Sequence, residues 1–439
     1  MSLADLYTDH LREQMRRADA ALERAGLEHL LIPSGVEHYG FLDDQTYPFR
    51  ANPHFLAWLP LTRHPSCWIA YTPGKTPVLT YYQPEDYWHE PPAAPSGFWV
   101  EHFDLRVIRE PDEARQHLPA DLSRAAIIGE ANAAIGDCVP NNPDAVINYL
   151  HYHRACKTPY EIARMRNASR RGASGHLAAL EAFREGASEH QIHLEYCAAA
   201  AHTEHELPYA NIVALNEHSA ILHYHHSPTP RPPQSRSFLI DAGGSDAGYA
   251  SDITRSYARE SGAFADLITR VDQMQIGLAT EARAGRDYGD LHVECHRQIA
   301  GILQESGIVR MSPEAQLERG VTSVFFPHGL GHFLGLQVHD VGGFQRDESG
   351  GFIDRPAGHP YLRLTRKLEA GHVVTIEPGI YFIPMLLAKL RASTDASAID
   401  WKQVEALLPF GGIRIEDDVH VTHGAPENLT RDAFRAVDA

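Results

Sequence analysis

The stretch Phe238-Leu-Ile-Asp-Ala-Gly-Gly-Ser-Asp-Ala-Gly-Tyr-Ala-Ser-Asp-Ile-Thr-Arg-Ser-Tyr257 decides how the rest of this chain is read. It has the pattern of a β-hairpin. Phe238 to Asp241 is an apolar strand ending in a carboxylate, and Gly243, Gly244 and Gly248 punctuate a turn. Tyr249 to Tyr257 is the expected return strand, with Asp252 in its middle. An Asp is disfavoured inside a β-branched and aromatic strand. Two Asp on paired strands bring two negative charges together, and a bound cation is the natural compensation. A turn Asp plus a solvated strand Asp is the other reading, and the hairpin alone does not choose.

Four more polar clusters sit in apolar surroundings that read as strands. They are His223-Tyr-His225-His226, His328-Gly-Leu-Gly-His332 running on to His339-Asp340, Val373-Val-Thr-Ile-Glu377, and Gly412-Ile-Arg414-Ile-Glu416-Asp417-Asp418. Asp241, Asp252, Glu377 and Glu416 with His332 make a hard, oxygen-rich ligand set for two divalent ions, with carboxylates available to bridge them.

In this order the segments resemble the pita-bread metallopeptidases, which remove amino-terminal residues or cleave Xaa-Pro bonds. Within these the resemblance is to the bacterial Xaa-Pro dipeptidases (prolidases), with organophosphorus acid anhydrolase a near relative. It covers the half from about Lys157 onward, and more weakly the N-terminal half, which is similar to a creatinase-like domain. The implied fold is α+β: residues 156–439 form a pita-bread catalytic domain, a curved antiparallel sheet backed by helices. Residues 1–155 form a smaller α/β domain before it.

Local signals agree with that division. Ser2 to Ala25 reads as a helix ended by Gly26, Leu30 to Pro33 and Ala125 to Ile128 as short strands, and Cys67–Tyr71 with Val78–Tyr82 as a hairpin. Thr158-Pro159-Tyr-Glu161 is a helix start with a capping box, and Ser188 to Gln191 is another. Asp287 opens a helix to Glu305, and residues 384–410 are an insertion with a helical stretch at Met385 to Arg391. The segment Phe41 to His54 is polar and broken by Pro. Either it is a surface loop, or, as the resemblance implies for prolidase-like dimers, a lid over a partner's site.

Composition bounds the partners. With 39 basic and 57 acidic residues the formal charge is −18, which argues against nucleic acid and anionic membranes. The start of the chain lacks the features of a signal peptide, and no apolar run reaches membrane-spanning length. Five scattered cysteines without metal or redox spacing fit reduced thiols in a cytoplasm.

The resemblance also implies roles. Asp241 binds one ion, Asp252 and Glu416 bridge both, and His332 and Glu377 complete the second. The ions share a hydroxide that attacks the scissile bond, and Glu377 shuttles the proton. His339 contacts the scissile carbonyl or developing oxyanion, His223 steadies the bound end of the substrate, and His328 lies beside the metals or in the core. Arg414, two residues before Glu416, shares its strand face and pairs with metal-bound carboxylates or with the substrate carboxylate. Arg363 grips that C-terminal carboxylate, with Arg366 near enough to be mistaken for it. Tyr209 and Tyr288 line a small pocket or pack in the core.

An Xaa-Pro bond has no amide proton, so such a site reads shape and the two termini of a dipeptide. The expectation is a cytoplasmic, homodimeric Xaa-Pro dipeptidase with two Mn(II), Zn(II) or Co(II) being alternatives. Side activity on organophosphate triesters is implied by the relatives alone. An Xaa-Pro aminopeptidase acting on longer peptides is the second reading. A non-catalytic binding module is disfavoured because all five ligands are present.

Overall fold

The computed structural model describes residues 2–438. Its compact units are Met1–Arg164 with Gln345–Gly351, and Met165–Phe344 with Phe352–Ala439. The seam thus falls inside a helix that begins at Pro159, a few residues beyond the expected 155/156 boundary, and the first unit also takes in the later segment 345–351.

In the first unit α1 (Leu3–Ala25) starts on Ser2, whose side chain accepts from the Asp5 N–H, and stops at Gly26, whose φ of 67° is the left-handed form glycine adopts freely. A mixed sheet follows from β1 (His29–Pro33), β2 (Trp68–Tyr71), β3 (Val78–Tyr82), β4 (Asp104–Ile108) and β5 (Ala125–Ile127) in the order β4-β3-β2-β1-β5. The expected β2–β3 hairpin is present, while β4 and β5 join in parallel. Leu31, Trp68, Ile108, Leu118 and Ile127 form its apolar core, each fully buried aliphatic side chain contributing about 1.5–3 kcal/mol. Short α2 (Pro53–Leu56) and α3 (Asp144–Arg154) complete the unit.

The helix across the seam, α4 (Pro159–Arg184), has the predicted capping box: the Thr158 N–H donates to Glu161 at 2.8 Å and the Glu161 N–H to Thr158 Oγ1 at 3.4 Å. In the second unit α4 and α5 (Glu189–Ala200) pack Phe183, Ile192 and Tyr196 against Val213, Leu215, Phe238 and Ile240 of β6 (Ile212–Leu215) and β7 (Ser237–Asp241). Short ladders follow: β8 (Ser245–Asp246) with β9 (Tyr249–Ala250), β10 (Thr254–Ala258) on β7, and β11 (Val373–Ile376), β12 (Gly379–Tyr381), β13 (Gly412–Arg414), β14 (Asp417–His420) and β15 (Glu427–Asn428). Every ladder in this unit is antiparallel. Bridges Thr254–Glu416 and Phe333–Val374 tie them together. The remaining helices are α6 (Ala263–Glu281), α7 (Tyr288–Glu305), α8 (Pro313–Glu318), α9 (Thr322–Phe325), α10 (Pro384–Arg391), α11 (Trp401–Leu407) and α12 (Leu429–Val437). The class is α+β, as expected.

Two local expectations need correction. The return strand from Tyr249 to Tyr257 is broken: β10 pairs with β7 in the register Thr254–Asp241 to Ala258–Ser237, but residues 251–253 are irregular, so Asp252 lies in a gap and not mid-strand. The cause is close packing of the turn. A Cβ on Gly243 would stand 2.0 Å from the Ser251 carbonyl oxygen. The clusters at 223–226 and 328–340 are not strands either. Gly331 lets the second of these lie against β11, since a Cβ there would be 2.2 Å from the Thr375 carbonyl oxygen.

Gly243→Ala must therefore displace backbone. It is expected to cost about 1–3 kcal/mol of stability, read as a lower urea midpoint. An unchanged midpoint would show that the turn has room.

Candidate metal centre

Strand ends deliver the acidic residues. Asp241 closes β7, Glu377 follows β11, and Glu416 lies between β13 and β14, where its N–H donates to the Thr254 carbonyl at 3.0 Å. Asp252 is clamped from two sides: its main-chain N–H faces the buried Asp418 carboxylate at 3.2 Å, and the Tyr209 hydroxyl donates to its Oδ1 at 2.6 Å. His332 rests on β11, its N–H donating to Thr375 Oγ1 at 3.1 Å.

The imidazole of His332 is oriented by its own loop. Its Nδ1–H donates to the Phe333 carbonyl at 2.9 Å, leaving Nε2 turned toward Asp252 Oδ2 at 3.4 Å and Glu377 Oε1 at 3.7 Å. Such an outer hydrogen bond fixes the tautomer of a metal ligand. Asp252, His332 and Glu416 each offer one ligand atom within 4.8 Å of the others.

Arg414 occupies the other side of the carboxylate group. Its guanidinium donates to Asp241 Oδ2 at 2.6 Å, the Tyr381 hydroxyl at 3.0 Å and Thr254 Oγ1 at 3.1 Å, with Glu416 Oε2 at 4.0 Å. The Thr254 hydroxyl donates to Glu416 Oε2 at 2.6 Å. Tyr381 donates onward to His328 Nε2 at 2.7 Å, because His328 Nδ1–H is engaged by the Gly329 carbonyl at 2.8 Å.

This crowding is electrostatically costly. Burial, together with the neighbouring carboxylates, pushes Asp241 and Glu416 up. Burial works to raise Asp252, but its contacts with His332 and the Tyr209 hydroxyl and the nearby His339 together hold it low. Burial drives Glu377 up to about 7, opposed by His332 and Arg414. Asp241 Oδ1 is buried without a hydrogen-bond partner. A carboxylate-rich group with an orphaned buried oxygen and an imidazole nitrogen facing inward fits two hard divalent cations.

A pH dependence follows. Glu377 holds a proton in the metal-free protein below about 7, so a cation must displace it. Affinity is expected to rise as pH climbs through 7 and to fall below it, with proton release seen by calorimetry in buffers of different ionisation enthalpy. Binding enthalpies that do not differ between buffers at pH 6.5 would contradict it.

The other expected site residues separate by position. His339 is exposed, its ring edge-on to His332 at a centroid distance of 4.4 Å. Although the residue has an exposed edge, its ring is desolvated on the side packed against His332, and this with the charges of His332 and Arg363 holds its imidazole below the usual range. His223 is exposed on an irregular segment, near enough to His328 and His339 to act on both electrostatically. Arg363 is exposed near His339, whereas Arg366 is buried and bound to Glu369 at 3.0 Å, which separates the two arginines. Tyr209 reaches the centre through Asp252. Tyr288 does not line a pocket: it is fully buried, and its hydroxyl donates to the Thr375 carbonyl at 2.6 Å, bracing β11 from beneath. Sequence reading gave no role to Tyr381, Thr254, Thr375 or Asp418. The only sequence signal for Thr254 and Asp418 was their position two residues after Asp252 and Glu416.

Comparison with known proteins places the chain in a family. Residues 5–152 match the model described as "Xaa-Pro dipeptidase, N-terminal domain", and residues 163–423 match metallopeptidase family M24. The chain belongs to metallopeptidase family M24. Among its relatives in that family, an Xaa-Pro dipeptidase of Xanthomonas campestris pv. campestris (strain B100) is 56% identical over 436 residues, 99% of each chain. One of Stenotrophomonas maltophilia (strain K279a) is 55% identical over 434 residues, 99% of this chain and 98% of that one. The solved structure of aminopeptidase P from E. coli with the inhibitor Pro-Leu aligns with a TM-score of 0.71 at 24% identity, covering 98% of this chain and 99% of that one. The M24 fold is thus shared: an α/β N-terminal domain and a pita-bread catalytic domain. As an M24 member the chain is a metal-dependent hydrolase.

Proposed function

We propose that the chain hydrolyses Xaa-Pro dipeptides with two divalent ions held by Asp241, Asp252, His332, Glu377 and Glu416. The observation that carries this reading is the full-length likeness to proteins named Xaa-Pro dipeptidase, joined to a site in which five ligand residues converge. When bound, the ions supply a nucleophile at neutral pH and charge stabilisation for the transition state. Mn(II) is the proposed metal, because four carboxylates and one imidazole favour a hard ion.

The chain's own residues divide the remaining work. Glu377 takes a proton and returns it to the leaving proline nitrogen. His339 faces the scissile carbonyl, His223 steadies the bound peptide, and Arg414 and Tyr209 hold Asp241 and Asp252 in place. Arg363 pairs with the free C-terminal carboxylate, and its exposed position beside His339 supports that role.

Carboxylate capture selects dipeptides. Arg363→Met is expected to raise KM for Ala-Pro about 10- to 100-fold, the loss of one charge-assisted pair, with kcat less affected. Wild type is expected to cleave Ala-Pro and Leu-Pro and to leave Ala-Pro-Ala intact. Cleavage of the tripeptide would establish an Xaa-Pro aminopeptidase and remove this role from Arg363. Organophosphate triesters belong in the same assay as side substrates, suggested only by the resembling anhydrolase.

A homodimer is also part of this reading. Phe41 and Leu42 are each 92% exposed at the tip of the candidate lid loop, an apolar tip suited to cover by a second copy. Light scattering is expected to give a dimer, and a monomer would remove the lid role. A cytoplasmic location is supported by the few, scattered cysteines, and no helix among the described residues is long and apolar enough to cross a membrane.

A further inference from the structure

A second group of potential ligands lies away from the carboxylates. His292 and His296, one turn apart on α7, meet His359 from the turn between Pro356 and Leu362. The three rings stand 4.7, 4.6 and 4.5 Å apart by centroid, and each offers a nitrogen within 4.8 Å of the others. An imidazole pair at i and i+4 on one helix face is a common zinc-binding spacing.

Three further observations point to a ligand. His292 and His296 are each 1% exposed, and His292 Nδ1 is buried with no hydrogen-bond partner, a state that costs about 1–3 kcal/mol. His296 Nδ1 is held by Thr322 Oγ1 at 2.9 Å, so its Nε2 remains for the cluster. Burial keeps all three imidazoles below their usual pKa and therefore neutral, the form that ligates. Four-coordinate zinc with nitrogens at about 2.0–2.1 Å needs them roughly 3.3 Å apart, within reach of small side-chain rotations here. His359 is only partly buried, leaving access for water as a fourth ligand.

We propose that His292, His296 and His359 form a third, zinc-selective site that ties the 356–362 turn to α7. The chemistry separates it from the catalytic pair: an all-imidazole set prefers Zn(II), whereas the carboxylate centre suits Mn(II). Phe326 packs between the two regions, 4.9 Å from His296 and 4.7 Å from His328 by centroid, and the sites share no ligand. Because the turn leads directly into Arg363, zinc there restrains the loop that carries this arginine.

The test uses the full-length chain stripped of metal, in a D252N background that disables the carboxylate centre. It is equilibrated with Zn(II) in the presence of excess Mn(II), then desalted and analysed for metal. One zinc ion per chain is expected, and Co(II) in its place is expected to give the strong visible absorption of a tetrahedral nitrogen site. Adding His359→Ala, at a partly exposed position that folding tolerates, is expected to remove both the zinc and the absorption. His296→Gln, which keeps a polar side chain on Thr322, is expected to do the same. Absence of retained zinc in D252N, or retention in both added variants equal to that of D252N alone, would overturn the site. Neither result depends on whether the carboxylate centre is catalytic.

Discussion

Asp252→Asn is expected to lower kcat for Ala-Pro by about 10³-fold or more, roughly 4 kcal/mol of transition-state stabilisation, and to reduce the bound metal. Asp252 sits where ligand atoms of His332 and Glu416 converge, with Tyr209 and the Asp418 carboxylate fixing its position. Asn keeps the shape and the Tyr209 hydrogen bond but removes the charge that two cations need. The metal-free variant carries a second signature. After burial, the charge of Asp252 is the first contribution raising Glu416, and it also raises Glu377. Removing it relieves that repulsion, so Glu377 in stripped D252N should titrate at lower pH than in stripped wild type, although the variant also loses the stabilising contact of Asp252 with His332. The stabilisation that wild type gains from saturating metal, about 2.7 kcal/mol at 100-fold excess over Kd, should shrink in the variant. Metal-dependent melting of D252N equal to wild type would show that Asp252 is no ligand.

Arg414→Met should have the next largest effect, and on the opposite state. Arg414 is 4% exposed and is the counter-charge of Asp241, and it also donates to Tyr381 and Thr254. Deleting it strands a buried carboxylate, at a cost of about 3–5 kcal/mol in the metal-free protein. Added metal should recover part of the loss, because a cation then balances Asp241. Arg414→Lys should restore the charge but not the three-way fork, leaving stability closer to wild type and kcat about 10- to 100-fold down. A stripped R414M protein that melts like wild type would contradict the pairing.

The residue types of the centre were legible in the sequence because buried chemistry needs them in apolar surroundings, and every one of the five proposed ligands lies at a strand end, in a strand gap or beside a strand. Their local conformations were less so. Asp252 reads as mid-strand from Tyr249 to Tyr257, yet the close approach of Gly243 to Ser251, which no periodicity encodes, breaks the strand there. Helix starts at Ser2, Thr158, Ser188 and Asp287 were readable from caps alone. The resemblance left Tyr288 open between a pocket and the core, and its place inside the core depends on β11, far along the chain. Arg363 and Arg366 could not be told apart by spacing; only the contact with Glu369 and the burial of Arg366 separate them. The histidine cluster was invisible for a similar reason, since His359 joins His292 and His296 only through the fold.

Catalysis is expected to depend on two cations held by the five converging residues. Stepwise addition of Mn(II) to stripped protein, with bound metal and Ala-Pro hydrolysis measured on the same samples, tests it most directly. The stripped protein should be inactive, with activity appearing as the carboxylate centre fills and reaching its plateau at two ions in that centre per chain. Full activity after stripping, or a plateau that does not follow occupancy of that centre, would contradict it.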